Sequence, residues 1–406
     1  MSAPAKRIRV LYLVHTLARG GSASSLRYLI AQLPKDEIEA FVLAQPGPGR
    51  ALFEDIGVSV RTIPGFVTLD SIAGVPLRGR RLLTLLRSAW ALRHTGALRR
   101  TIRELRPDIV HLNERGMLHA AIVAKREGVP VIVHARTVAD RQVKWFWRLS
   151  ARILSRVDRV IAIDGSVAHS LRGVVASEVV YNPLPRLPSA PEPAKRDNGP
   201  SRVLRVTFLS GLLRFKGIWD LLDAARLLRN RRDIVFQIAG ANPHSPSFYG
   251  SLFGRVTAAL GLVEDMETSV RNRITRDELQ DTVQLLGHVE DVDALLRGSD
   301  ILVFPSHLNG PGRSVFEAGA LGVPAVVAMR DRVEDVVEHD VTGVIVPEKD
   351  GRALADAITR LADDPPLRHR LGAQAREKYM KQFDAARSAA SVLRIYREVA
   401  AGVSRP

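Results

Sequence analysis

The feature that most restricts this chain is an alternation of short, continuous apolar runs with helical segments. "IRVLYLV" (Ile8–Val14) is followed by Gly20-Gly21-Ser22 and a helical pattern to Leu33. "EAFVLAQ", "PDIVHLN" (Pro107–Asn113), "VPVIVHA", "DRVIAID" and "EVVYNPL" follow in turn. Strands that are apolar on both faces and spaced by helices belong to a parallel sheet covered on both sides. The alternation stops at Asn182–Arg202, "NPLPRLPSAPEPAKRDNGPSR", whose prolines and scarce hydrophobes read as a linker. It restarts at "LRVTFLS" (Leu204–Ser210) and continues through "DIVFQIAG", "TVQLLGHV", "DILVFPS", "VPAVVAM" and "TGVIVPE". The expected fold class is α/β, with two doubly wound domains over residues 1–185 and 203–383, a linker at 186–202 and a helical tail at 384–406. A chain of 406 residues is too long for one ordinary core. Ligands of open α/β sheets sit beyond the carboxyl ends of the strands. The loops after Val14, His134, Ser210, Gly240 and Ser306 are therefore expected around one cleft.

Charge narrows the partners. There are 59 Lys and Arg against 43 Asp and Glu, a net charge of +16, which suggests an anionic partner such as a nucleotide or a phospholipid surface. No nucleic-acid recognition motif is present, so nucleic acid is not an expected partner. The absence of cysteine excludes disulfides, zinc thiolates and thiol nucleophiles, and fits a cytoplasmic protein. No run approaches the roughly 18 apolar residues of a membrane span. The N-terminal apolar stretch, interrupted by His15, reads as a buried strand and not a signal peptide.

Pro76–Pro107 carries nine arginines (78, 80, 81, 87, 93, 99, 100, 103 and 106) and one acid, Glu104. Leu82, Leu85, Leu86, Ala89 and Trp90 fall at helical spacing within it. Arg141–Arg159 sets Trp145 and Trp147 beside Lys144, Arg148 and Arg152. Basic amphipathic helices with tryptophan suit peripheral contact with an anionic membrane, here the inner face of the plasma membrane. The alternative is that the apolar faces are core and the arginines are solvated.

The chemistry concentrates in "NGPGRSVFEAGALGVPAV" (Asn309–Val326). A strand ends before it, and a helix is predicted to start near Pro311–Ser314. Unsatisfied N–H groups at such a start lie at the positive end of the helix dipole. Gly310 and Gly312 let a ligand approach the backbone, with Arg313 and Ser314 opening the helix, so the turn is a candidate pyrophosphate cradle. Glu317, one turn in, is placed to accept hydrogen bonds from a diol such as a ribose. On residue types alone a plain strand–helix loop explains the stretch equally well.

This stretch resembles the signature of the GT4-type retaining glycosyltransferases, which have the GT-B fold: Glu, seven residues, Glu, then Ala and a Gly-x-Pro turn. "SGLLRFKGIWDLLDAARLL", "VQLLGHVEDVDALLRGSDILVFPS" and "VEDVVEHDVTGVIVPEKD" are similar to further family landmarks. So, in the first half, are "VHTLARGGSASSLRYLIAQL", "RPDIVHLN", "VPVIVHA" and "DRVIAID". The resemblance implies two facing Rossmann-like domains, with the C-terminal helix packing back toward the N-terminal one. It implies transfer of a hexose from a UDP- or GDP-type sugar to a glycan or lipid-linked acceptor, in cell-envelope polysaccharide or glycolipid synthesis. It implies that Glu317 binds the nucleotide ribose, Lys216 meets the donor diphosphate, and Gly20 and Gly21 form the N-terminal glycine loop. His134 is implied to face the donor sugar. No cofactor or metal is expected; the nucleotide sugar is a co-substrate, and lysine, amide and dipole charge stabilise the leaving diphosphate.

Three positions depart from the family pattern. The first signature glutamate falls at Asn309, which still offers a hydrogen bond to a sugar hydroxyl. The arginine before the lysine falls near Gly211, with Arg214 as a nearby substitute. The usual Gly-Gly reads Asp331-Arg332. His15, His111 and His119 lack metal-ligand spacing, and Asp291-Val292-Asp293 reads as a helix cap. A degenerate, non-catalytic binder of glycan or nucleotide sugar, and a sugar-nucleotide epimerase on the same architecture, are the competing readings.

Overall fold

The computed structural model describes residues 6–15, 17, 21–63, 95–139, 144–184, 203–242, 245–259, 263–331, 333 and 335–402. Gly20, the arginines from Arg78 to Arg93, Arg332 and nearly all of the proline-rich linker lie outside the described residues, as do the side chains of Lys144 and Trp145. The chain divides into two units, Met1–Arg186 with Phe383–Pro406, and Leu187–Gln382.

The first unit is a seven-stranded sheet in the order β3-β2-β1-β4-β5-β6-β7. Its strands are β1 Ile8–Val14, β2 Ile38–Ala44, β3 Ser59–Thr62, β4 Ile109–Leu112, β5 Val131–Ala135, β6 Arg159–Ala162 and β7 Glu178–Val179. Every pairing is parallel. β1 is central because it is apolar on both faces: Leu11 and Leu13 point to one helix layer, Val10, Tyr12 and Val14 to the other. The sequence pattern does not reveal β3, where only Val60 is buried along an edge strand. "EVVYNPL" yields just the two paired residues of β7.

The second unit is a six-stranded parallel sheet in the order β10-β9-β8-β11-β12-β13. The strands are β8 Leu204–Leu209, β9 Ile234–Ala239, β10 Val283–Gly287, β11 Ile301–Phe304, β12 Ala325–Ala328 and β13 Gly343–Val346. Several helices of this unit start where aspartates cap free N–H groups: Asp265 accepts from the Thr268 amide and Asp350, after β13, from the Ala353 amide. Asp291 likewise accepts from the Ala294 amide, while Asp293 pairs with Arg297.

The last helix, Ala385–Ala400, belongs to the first unit. Ala389, Val392, Ile395, Tyr396 and Val399 recur at helical spacing and are buried in one cluster with Val10, Tyr12 and Val14. Each such large side chain contributes about 1.5–3 kcal/mol on burial. The Tyr396 hydroxyl donates to the Tyr12 hydroxyl at 3.0 Å and lies 2.8 Å from His111 Nδ1. Arg397 pairs with Glu37, and Ser388 Oγ donates to the Tyr181 carbonyl. Among the described residues no helix is long and apolar enough to cross a membrane.

Candidate functional site

In the second unit the strand order reverses between β8 and β11, with β9 on one side and β12 on the other. At such a switch point the loops leaving two neighbouring strands open a crevice. The β8 loop runs through an exposed Gly211 and a tight turn, Arg214–Lys216, to Gly217 at φ +77°. A Cβ on Gly217 would stand 1.8 Å from the Pro305 carbonyl oxygen, so only glycine lets the β11 loop lie on this backbone. Two hydrogen bonds join the loops: the Phe215 carbonyl accepts from the His307 amide at 2.8 Å and from Ser306 Oγ at 3.3 Å. His307 Nε2 and Asp220 Oδ2, 2.6 Å apart, tie the β11 loop to the helix Ile218–Leu227.

Lys216 is thereby held between two aromatic rings. Its ammonium lies 5.3 Å from the Phe304 ring centre and 5.7 Å from that of Phe215. Burial lowers its pKa from the ordinary lysine value. No carboxylate pairs with it among the described residues. The Phe304 ring also abuts Gly312, where a Cβ would come within 2.5 Å of ring carbons. Gly312 is the N-cap of the helix Arg313–Ala320 and supplies no capping side chain. One phenyl ring thus brings an unpaired ammonium and an uncapped helix N-terminus together, and both favour an anion. Gly310 is half-buried, and Ser314 is buried in the first helical turn. Glu317, also half-buried, accepts from Arg313 Nε at 2.6 Å.

Two expected phosphate and sugar contacts are otherwise engaged. Arg214 is gripped by both oxygens of Glu264, at 2.6 and 2.7 Å, which also raises its pKa. Asn309, at φ +50°, spends its side chain on the turn after β12.

The first unit reverses order between β1 and β4. His15 follows β1, Asn113, Glu114 and Arg115 follow β4, and Arg136 follows β5. Gly21 opens the helix Gly21–Gln32 and is exposed. His134, expected to face a donor sugar, lies near the carboxyl end of β5. Only 2% of it is exposed, and its ring is packed edge-on against His111, with Nδ1 3.3 Å from His111 Nε2. Nε2 is buried without a hydrogen-bond partner among the described residues. His134 is the fourth residue of a five-residue buried strand, so its side chain enters the helix layer. The side chain that leaves the strand end is Arg136, which donates to Asn113 Oδ1 at 2.7 Å and to Asn182 Oδ1. Sequence reasoning missed it, although an arginine directly after a buried strand is the available signal. Burial, reinforced by the Arg136 charge, pushes the His111 pKa down to about 3 and that of His134 well below its usual value. His15 and His119 are lowered for the same first reason. Among the described residues no three His, Asp or Glu side chains are grouped to hold a metal.

Comparison with known proteins accounts for both units. The family model described as Glycosyltransferase Family 4 matches residues 19–186, and that described as Glycosyl transferases group 1 matches residues 194–378. The chain is 27% identical over 331 residues to a glycogen synthase of Mycobacterium tuberculosis, covering 75% of this chain and 72% of that one. It is 27% identical to an alpha-D-kanosaminyltransferase of Streptomyces kanamyceticus over 195 residues, 48% of this chain and 45% of that one. Among solved structures it is similar to Anabaena Alr3699/HepE in complex with UDP-glucose, with a TM-score of 0.73 at 19% identity, covering 97% of this chain and 100% of that one. A sucrose-phosphate synthase from Thermosynechococcus elongatus gives a TM-score of 0.72 at 18% identity, over 98% of this chain and all of that one. With two parallel Rossmann-like sheets, a glycine-stitched switch point and both family models matched in order, the chain belongs to the group 1, GT4-type glycosyltransferases of GT-B fold.

Proposed function

We propose that this glycosyltransferase is a retaining hexosyltransferase that uses a UDP- or GDP-type sugar and a glycan or lipid-linked acceptor of cell-envelope polysaccharide or glycolipid synthesis. The observation that carries the reading is the pairing of Lys216 with the uncapped start of the Arg313 helix across Phe304. That arrangement suits a diphosphate, whose charge grows as the sugar leaves. Glu317 is the candidate acceptor for the ribose hydroxyls. In the proposed transfer an acceptor hydroxyl oxygen bonds to the anomeric carbon, the anomeric carbon–phosphate oxygen bond breaks, and the hydroxyl proton passes to the leaving diphosphate. The HepE neighbour in complex with UDP-glucose, and relatives named for amylovoran and capsular polysaccharide biosynthesis, support the donor and pathway class.

Titration with UDP, GDP and their sugars tests this. One nucleoside diphosphate should raise the melting temperature, since a ligand at 100 times its Kd adds about 2.7 kcal/mol of stability. Release of that diphosphate from the matching sugar nucleotide should continue in EDTA. Absence of any shift would remove the donor reading. Loss of release in EDTA, restored by magnesium, would remove metal independence.

Membrane contact is proposed for the helix Lys144–Leu154 and the turn after it. Arg148, Arg152 and Arg156 form an exposed row at four-residue spacing, beside Leu149 at 47% exposure. None has an ion-pair partner among the described residues. Trp147 is half-buried against the core instead, with the Arg115 guanidinium 5.9 Å above its ring. A basic residue near an anionic surface contributes about 1 kcal/mol. Sedimentation with phosphatidylserine vesicles should therefore fall steeply with salt, and changing all three arginines to glutamate should release the protein while nucleotide binding stays. Indifference to vesicles at low salt would leave the row a solvated face.

A further inference from the structure

The loops that leave β11 and β12 meet at the Asn309 side chain, whose Nδ2 donates to Asp331 Oδ2 at 2.7 Å. The other polar groups of Asn309 are also engaged. Its Oδ1 accepts the backbone N–H groups of Arg330 and Asp331, at 2.8 and 2.9 Å, and its own N–H donates to Glu348 Oε1 at 2.9 Å. Asn309 is 7% exposed and sits at φ +50°, a left-handed conformation that asparagine tolerates better than most residues. It is a bracket between two loops, with its side-chain oxygen and one Nδ2 hydrogen committed to the turn after β12. Asp331 is the opposite case. It is exposed, one carboxylate oxygen is tied down by Asn309, and the other has no partner among the described residues. Its neighbour Arg330 is drawn away to Glu348, 3.1 Å off. An oriented carboxylate oxygen is thus left open on the strand-end side that carries Lys216 and Gly312.

A sugar joined to a diphosphate held at Lys216 and Gly312 must pass the loops that flank that cradle. A carboxylate is the strongest acceptor for a neutral hydroxyl, and a fixed one distinguishes epimers by hydroxyl direction. We propose that Asp331, oriented by Asn309, accepts a hydrogen bond from a hydroxyl of the transferred sugar and so sets which sugar nucleotide this chain uses. The proposal rests on the nucleotide-sugar reading above. It also makes two departures from the family signature one linked change: a glutamate at 309 would press its carboxylate against Asp331 and offer it no donor. Asp331 is the substrate contact and Asn309 the positioning residue.

Calorimetric titration of the full chain with UDP, GDP and their glucose, galactose, mannose and N-acetylglucosamine derivatives tests this. Asp331→Asn should leave the parent diphosphate within about twofold, weaken the best sugar nucleotide about tenfold or more, and flatten the ranking among epimers. Asn309→Gly, which keeps the positive φ, should flatten the ranking in the same way, and the double variant should be no worse than either single one. A structural role alone would weaken the diphosphate as much as its sugar, and that result would overturn the proposal. So would an unchanged ranking in a folded Asp331→Asn. If the wild type binds sugar nucleotides and only the ranking fails to move, the nucleotide-sugar reading stands without this contact; if it binds no nucleotide, both fall.

Discussion

Lys216→Ala is expected to weaken a nucleoside diphosphate by a hundredfold or more, to leave the bare nucleoside almost unchanged, and to make the empty protein no less stable than the wild type. The combination follows from the setting of the ammonium. It is desolvated between Phe304 and Phe215 with no carboxylate paired to it among the described residues, so the empty protein bears a cost that an anion relieves. Deleting the charge removes the cost and the binding together. A charged hydrogen bond supplies about 1.5–3 kcal/mol, and the desolvated setting puts this one at the upper end. The lowered pKa fixes the sign of the pH dependence. Diphosphate affinity should decline as alkaline pH deprotonates Lys216, starting below the ordinary lysine value of about 10.4. Isothermal titration with UDP, UMP and uridine, or the guanosine series, measures the split. Equal loss of all three ligands, or a fall in melting temperature of the empty variant, would make Lys216 a structural residue.

Mild acid is expected to unfold the first unit before the second. Its histidines 15, 111, 119 and 134 are all lowered by burial. An unfolded histidine takes up a proton near pH 6.5, whereas folded His111 does not until about pH 3. Above pH 6.5 both states are neutral and nothing is lost. Below it the unfolded state binds more protons, so stability falls steadily toward pH 3. His111 alone accounts for about 3 kcal/mol at pH 4, a large share of a domain's stability. Hydrogen exchange read along the chain should show protection of β1, β4 and β5 falling from near pH 6, with the second unit still protected. His111→Asn should flatten that part of the curve. Protection that holds to pH 4, where carboxylates titrate, would refute the assignment.

The parallel sheets were legible in the sequence because their strands are continuous apolar runs, as in "IRVLYLV" and "DILVFPS". β3 was not, since an edge strand with one buried residue has no such run. The Asn309–Val326 turn was legible as a helix start that welcomes an anion, for glycine spacing is a local property. What Lys216 faces was not local: the Phe304 ring that joins it to Gly312 comes from a strand far along the chain. Side-chain pairing was equally hidden. Nothing in "RFKG" says that Arg214 is held by Glu264, and nothing in "NGPG" says that Asn309 faces Asp331. The partner of His134 was hidden as well: nothing in "VIVHAR" says that its ring packs against His111 or that Arg136, two residues on and on the same face, reaches Asn113 and Asn182.

The hydroxyl contact between Tyr12 and Tyr396 spans 384 positions, and its consequence is one of timing. On the ribosome β1 to β7 emerge early, and the helix Gly21–Gln32 covers part of the face formed by Val10, Tyr12 and Val14, yet the share that Ala389, Val392, Ile395, Tyr396 and Val399 bury stays open until the helix Ala385–Ala400 is made. At about 5–20 residues per second the intervening unit takes roughly 10–40 s to synthesise. The second unit, whose sheet and helices are contiguous in the chain, can close as soon as it is released. The half of the protein that is born first is therefore finished last, and for that interval the nascent chain presents a half-covered apolar sheet face, a target for the cell's chaperones.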